Sequence, residues 1–212
     1  MGRWGPWVQI PPLRPFSQYS SNQVAHGKNG LPVEIRVPGS DSALPETIAT
    51  SRLTLRRFRP EDAQTFHRIL SDPAAMRYWS TPPHRTFAET EAWIASTIAA
   101  FATGEGDDFI ALHEGKIVGK AGLWSGNEIG MIFASDCWGQ GFASEAAAAV
   151  IARAFARGLP SIRADVDPRN ERSLKLLARL GFVETRRAPR TLQVGDEWVD
   201  SVYLELKAPP VR

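Results

Sequence analysis

The chain has 212 residues, 43% of them hydrophobic and 23% charged, the composition of a globular domain that can bury a core without disulfides or metal. Its 25 basic and 23 acidic residues leave a net charge of +2, which is no electrostatic footprint for nucleic acid, and no stretch approaches the ~18 uncharged apolar residues of a membrane span. The single cysteine, Cys137, excludes an internal disulfide and fits a reducing compartment, so a cytoplasmic protein is expected.

Residues 1–45 stand apart. They hold seven of the 16 prolines, Trp4 and Trp7, and no acidic residue before Glu34. Pro6, Pro11, Pro12 and Pro15 break the amphipathic helix that a transit peptide needs, and no uninterrupted apolar region marks a secretory signal. The stretch reads as a disordered tail or a start codon placed too far upstream.

Globular patterning begins at Ser51. Arg52-Leu53-Thr54-Leu55-Arg56 alternates polar and apolar residues, the pattern of a half-buried strand. Pro60 presets φ for a first helical turn in which Glu61 and Asp62 suit the dipole. Ala63, Phe66, Ile69 and Leu70 then recur at helical spacing through Ser71. Asp72-Pro73 opens a short helix carrying Met76, and the loop from Trp79 to Pro83 follows. A long helix is predicted from Thr86 to Thr103, with Thr86 and Glu89 as a capping box and Trp93, Ile94, Ile98 and Phe101 on one face.

The middle of the chain is strand-rich. Phe109–Leu112 and Lys116–Gly119 flank the turn His113-Glu114-Gly115 as a hairpin, and Glu128–Phe133 is a further strand. Ser144–Arg157 is an alanine-rich helix stopped by Gly158 and Pro160. Ser161–Val166 reads as a strand and Asn170–Leu180 as a helix closed by Gly181. Val183–Ala188 and Glu197–Leu206 complete the set. The order β-α-α-α-β-β-β-α-β-α-β-β describes a mixed α/β (α+β) domain around one central sheet of about seven strands flanked by helices.

Chemistry concentrates in Trp138-Gly139-Gln140-Gly141-Phe142-Ala143-Ser144-Glu145-Ala146, between a predicted strand and a helix. Small residues at 139, 141 and 143 let a ligand approach the backbone, and the helix start offers free N–H groups to an anion such as a diphosphate. A tight turn with no ligand would use the same residues. A dinucleotide fold is the poorer reading, since no βαβ unit carries an acidic residue about 20 positions on. The second segment, Asn170-Glu171-Arg172-Ser173 with Leu174, Leu177 and Leu180-Gly181-Phe182, is by itself a capped helix with an apolar stripe.

Together these segments resemble the acetyl-CoA-binding core of the GNAT N-acetyltransferases, in the branch of the ribosomal-protein N-terminal (alanine) acetyltransferases. Residues 138–146 match that branch's phosphate loop, 170–173 and 180–182 its Asn-x-x-Ser and Leu-Gly-Phe, and 52–62 its opening strand and acidic helix start. The resemblance spans 50–207 and implies the GNAT fold for that domain. Two positions depart from the superfamily. Trp138 replaces the Arg or Gln of the general loop, as is usual in this branch. Leu177 stands where many members carry a tyrosine that reprotonates the leaving thiolate.

The resemblance implies acetyl-CoA as cosubstrate and a primary amine as acceptor: a protein N-terminus, or a small molecule such as an aminoglycoside or polyamine. It implies coenzyme contacts from Met131, Ile132 and Phe133 on a strand splayed from its neighbour. Further contacts are implied from Trp138, Gly139, Gln140, Gly141, Phe142, Ala143 and Ser144, and from Asn170 and Ser173. Glu128 is the nominated base, on the strand face it shares with Gly130 and Ile132; an ordinary strand-end carboxylate is the alternative. Ser173 is the nominated acid, against plain hydrogen bonding at a helix start. Arg77, Tyr78 and Trp79 fall where related enzymes build the acceptor pocket. No metal is expected, because His67 and His84 lack ligand spacing. Cys137 reads as a packing residue, and Arg186, Arg187 and Arg190 as a solvated basic surface. A monomer or homodimer without nucleic-acid or membrane partners is expected. Use of another acyl-CoA and a non-catalytic coenzyme-binding module are the rival functions.

Overall fold

The computed structural model describes residues 46–210; the stretch 1–45 expected to be a tail lies outside them. Eight strands form one sheet: β1 (Thr47–Ala49), β2 (Leu53–Arg56), β3 (Asp107–His113), β4 (Lys116–Trp124), β5 (Glu128–Phe133), β6 (Ser161–Val166), β7 (Val183–Val194) and β8 (Glu197–Lys207). The helices are α1 (Asp62–Leu70), α2 (Pro73–Met76), α3 (Phe87–Thr103), α4 (Phe142–Ala156) and α5 (Glu171–Arg179). Strand order is β1-β2-β3-β4-β5-β6-β8-β7. All neighbours are antiparallel except β5 and β6.

Strand alternation sends the two sides of the sheet to two cores. Leu53, Leu55, Phe109, Ala121, Ile129, Phe133, Ile162 and Val202 pack with the alanine face of α4 and with Leu177 of α5. Ile110, Ile117 and Ile132 pack on the other side with Phe66, Ile69, Met76 and Ile94 from α1, α2 and α3. Alanines at 146, 147, 149 and 154 are fully buried and let α4 lie close to the sheet. The Thr86 hydroxyl accepts from Glu89 N–H at 3.4 Å, while the Glu89 carboxylate takes Arg85 N–H at 2.7 Å, one residue upstream of the box expected from the sequence.

Several boundaries differ from the sequence reading, among them β4, which runs five residues past Gly119 because its ladder with β5 continues to Trp124↔Glu128. The eighth strand, β1, is three residues of no distinct periodicity, made a strand by its ladder with β2 from Thr47↔Arg56 to Ala49↔Thr54. Strand β7 continues six residues past Ala188, because a bulge absorbs Pro189 and the positive φ of Arg190 (51°) before the ladder resumes at Leu192↔Val199. Helix α4 begins at Phe142 rather than Ser144, with Gly141 in the left-handed region preceding it.

Candidate active site

A single 3₁₀ turn, Ser135–Cys137, leads from β5 into the loop Trp138–Gly141. Gly139 and Gly141 have φ of 77° and 82°, which L-residues adopt only with strain. The first intrahelical donor of α4 is Glu145 N–H, bonded to Gly141 O at 3.1 Å. The N–H groups of Phe142, Ala143 and Ser144 are therefore orphan donors at the positive end of the helix, an array suited to an anion. A Cβ at Gly139 would meet nothing within 4 Å, so this side of the loop is open to a ligand. Of the expected contact residues, Phe142 has its ring buried against His113 (4.5 Å between centroids), leaving only its backbone to face outward.

Two residues outside the expected set hold this loop. Arg52 donates from Nη1 to Gln140 O (2.8 Å) and forks from Nε and Nη2 onto Glu145 Oε2 (both 2.8 Å), with its guanidinium 4.8 Å above the Phe142 ring. Glu145 Oε1 also accepts from Thr50 Oγ1 (2.6 Å), Ser51 Oγ (2.9 Å) and Arg52 N–H (2.8 Å). Burial would raise the Glu145 pKa, but these donors prevail and hold it at about 2. Glu145 lies inside the loop motif and Arg52 in the turn between β1 and β2; only folding joins them.

Strand β5 borders a gap. Its parallel register with β6 is confined to Glu128↔Arg163, where Arg163 N–H donates to Asn127 O at 2.9 Å. Toward the other end of β5, Ala134 N–H donates to Val118 O of β4 at 2.9 Å. Alternation then turns the peptide groups of Ile132 and Gly130 to β4 and those of Met131 and Phe133 to the splayed side. So the three expected contacts differ: Ile132 is engaged in the β4 ladder and buried, while Met131 and Phe133 face the gap. Phe133 O already accepts Trp138 Nε1 at 3.0 Å, which folds the indole back over the end of the strand.

Across the gap stands the first turn of α5. Asn170 Oδ1 accepts Ser173 N–H at 3.2 Å, the cap expected from the sequence. The Ser173 hydroxyl has no hydrogen-bond partner among the described residues, so its proton is uncommitted. Arg172 sits 5.1 Å over the Trp138 ring, which brings the two sequence segments within contact of each other. Leu177 points away from this cleft into the α4 core, 2% exposed.

Glu128 marks the point where β5 and β6 part. It is half-buried, opposite Trp124 on β4 and Arg163 on β6. Burial pushes its carboxyl above the usual range, nearby Asp165 adds to this, and Arg163 opposes it. On the same face, a Cβ at Gly130 would lie 3.7 Å from Lys120 Nζ and 4.0 Å from the Trp79 ring. Lys120 is itself buried and ion-paired with Asp108 at 2.7 Å. Arg77 stacks on Tyr78 (5.2 Å) and adds to the depression of the Asp167 carboxyl, which Arg169 dominates against burial. Arg169 bridges Asp167 and Glu197 (2.6 Å each), and Gly195 at the β7–β8 tip lies 3.7 Å from Pro82 through its Cβ position. The hairpin thus leans on the loop after Trp79. A pocket of about 250 Å³ lined by Pro168, Arg187, Ala188 and Pro189 belongs to the β7 bulge instead of this cleft.

The remaining sequence expectations resolve simply. His67 and His84 both point Nδ1 at the buried Thr90 hydroxyl (2.7 and 2.9 Å), a structural anchor between α1, α3 and the intervening loop. Cys137 packs against both cores. The basic residues of β7 are exposed but engaged: Arg187 pairs with Glu184 at 2.8 Å, and Arg186 and Arg190 stack on Tyr203 and Trp198.

This geometry can be set against known proteins. A relative described as an uncharacterized N-acetyltransferase, p20 from Bacillus licheniformis, is 33% identical over 146 residues, covering 65% of this chain and 82% of that protein. A GNAT-family acetyltransferase structure from Bacillus anthracis superposes with a TM-score of 0.67 at 25% identity, over 76% of this chain and 98% of that one. The ribosomal L7/L12 α-N-protein acetyltransferase RimL, solved with coenzyme A, superposes with a TM-score of 0.70 at 16% identity, over 76% and 98% of the two chains. Residues 52–183 match the acetyltransferase (GNAT) domain, a span that runs from the arginine holding the glycine loop to the start of β7. The chain belongs to the GNAT acetyltransferase family.

Proposed function

We propose that this acetyltransferase moves the acetyl group of acetyl-CoA directly to a primary amine, with a protein N-terminus as the favoured acceptor, in the cytoplasm and without metal. One observation carries the reading: an array of orphan N–H donors and a splayed strand edge converge on a gap whose vertex is Glu128. The residues fit the coenzyme by their chemistry. Loop N–H groups from Gly139 to Ser144 suit a diphosphate, and the Met131 and Phe133 edge suits the amides of a pantetheine arm.

Bound there, acetyl-CoA supplies an activated acyl group as its thioester. Met131 N–H, which faces away from β4, serves as the main-chain donor to the acyl oxygen. Glu128 accepts the proton of the acceptor amine, and its raised pKa brings it nearer the amine's own. An α-amine with a pKa of about 8 needs only ~1 kcal/mol to be neutral at pH 7, whereas a lysine amine at about 10.4 needs nearly 5. A single moderately basic carboxylate therefore serves an N-terminus best. Ser173 holds a proton at the start of α5, where Leu177 has none to offer. Arg77, Tyr78 and Trp79 border the acceptor from the α2 side. RimL, which shares the fold, acts on a protein N-terminus by its description.

The test is an acetyl-transfer screen following CoA release against peptides with free N-termini, ribosomal proteins, polyamines and aminoglycosides. Turnover with N-terminal peptides is expected. Turnover with polyamines alone would overturn the acceptor class. Coenzyme binding without turnover on any amine would mark a non-catalytic module, and faster turnover with succinyl-CoA would replace the acyl donor.

A further inference from the structure

The loop that offers its N–H groups to a ligand is held from behind by a segment distant in sequence. Arg52 spends every nitrogen of its guanidinium on this contact: Nη1 on Gln140 O, Nε and Nη2 on Glu145 Oε2, each at 2.8 Å. Glu145 is in turn held by Thr50, Ser51 and the Arg52 N–H, so the short β1–β2 turn grips the first turn of α4 through one carboxylate. The grip sets a direction. In a trans peptide the C=O and the following N–H point opposite ways. Pinning Gln140 O toward Arg52 therefore turns Gly141 N–H to the side of the loop opposite Arg52. The charges matter as well. Glu145 is ionised down to a pKa of about 2 and sits next to Ser144, whose N–H belongs to the array. Without Arg52 that carboxylate would repel an anionic ligand one turn away.

We propose that Arg52 is a positioning residue for coenzyme binding: clasped to Glu145 and Gln140, it presets the 139–144 loop for the coenzyme diphosphate and neutralises the carboxylate beside it. This deepens the reading of that loop as the diphosphate site and rests on it. Arg52 touches the loop, not the reacting atoms. Its side chain is 44% exposed, and without it Glu145 keeps its bonds from Thr50, Ser51 and the backbone N–H of residue 52, so a folded variant is expected.

The experiment measures CoA affinity by calorimetry in the full-length protein, alongside kcat/KM with S-acetyl-pantetheine, which lacks the diphosphate. Arg52→Ala is expected to raise the CoA Kd by about tenfold or more, while kcat/KM for S-acetyl-pantetheine changes by less than roughly twofold. Arg52→Lys keeps a charge but not the fork, and is expected to lose CoA affinity in the same sense; it supplies the comparison should the alanine variant not fold. Gly139→Val, which places a side chain on the open side of the loop, tests the underlying site. Unchanged CoA affinity in Gly139→Val would remove the diphosphate reading, and the inference with it. Loss in Gly139→Val with wild-type affinity in both Arg52 variants would overturn the inference alone. Parallel losses of CoA affinity and S-acetyl-pantetheine turnover in the Arg52 variants would show a merely structural role and overturn it too.

Discussion

Replacing Gly141 with valine perturbs the loop in a way the backbone makes calculable. Gly141 has φ of 82°, where an L-residue costs about 1–2 kcal/mol and a β-branched one lies at the upper end. A Cβ there would also stand 3.3 Å from Arg52 Nη2, an atom fixed by its 2.8 Å ion pair with Glu145, so the guanidinium must shift by a few tenths of an ångström. The free variant relieves this strain by turning Gly141 out of the left-handed region, which rotates the N–H array. Coenzyme binding must then restore the strained form. With tenfold in Kd for each ~1.4 kcal/mol, a penalty of about 1–2 kcal/mol raises the Kd for CoA roughly 5- to 30-fold. Calorimetric titration with CoA measures this directly, with a thermal melt to show the protein is folded. A folded Gly141→Val protein that binds CoA within a factor of about two of wild type would refute the reasoning, since the strain would then be unconnected to the ligand.

Three further outcomes are expected. Glu128→Gln should lower kcat/KM by about 10²-fold and abolish the rise in rate that accompanies ionisation of a carboxyl lying above its usual range; a pH–rate profile unchanged in shape would exclude Glu128 as the base. Ser173→Ala leaves the Asn170 cap intact, because that bond uses the Ser173 backbone N–H, and should lower kcat by roughly 10²-fold with little change in CoA affinity; near-normal kcat would assign the proton to water or another group. Asp107 is buried, yet Arg153, Arg157 and Arg57 overcome the burial and hold its carboxyl below the usual range. Asp107→Asn should cost about 3–5 kcal/mol, or roughly 6–20 °C in Tm for a domain of this size. A depressed carboxyl stabilises the fold fully above its unfolded pKa and loses this as pH falls through the folded value, so the gap between wild type and variant should close below about pH 4 in acid melts.

Much of this protein is legible in its sequence because the decisive signals are local. The alternation at 52–56, the alanine face of 146–154 and the Asn170 cap each appear in the structure as elements of the expected type, since period and capping chemistry act over a few residues. The glycines at 139 and 141 are legible as a tight strand-to-helix turn, and the structure gives both a positive φ. Where only pairing partners decide, the reading fell short. Thr47–Ala49 has no periodicity of its own and is a strand because β2 lies beside it. Strand β7 runs through Pro189 because a bulge takes the missing donor out of the ladder.

The site divides the same way. The segments proposed to meet the coenzyme are marked by motifs of short spacing, but which side of β5 each peptide faces depends on its neighbours. Ile132 is drawn into the β4 ladder while Met131 and Phe133 are left to the gap, a distinction no one-strand pattern contains. The Glu128 environment needs Asp165 and Arg163 from another strand, because a pKa is set by burial and charges across space. Arg52 and Glu145 are 93 residues apart. The sequence by itself determined which residues carry glycine freedom, helix caps and ionisable groups, since those are properties of single residues and their neighbours in the chain. The tertiary structure alone decided that an arginine in the turn between β1 and β2 would hold the glycine loop, because a hydrogen bond forms only where folding has already brought the two groups together.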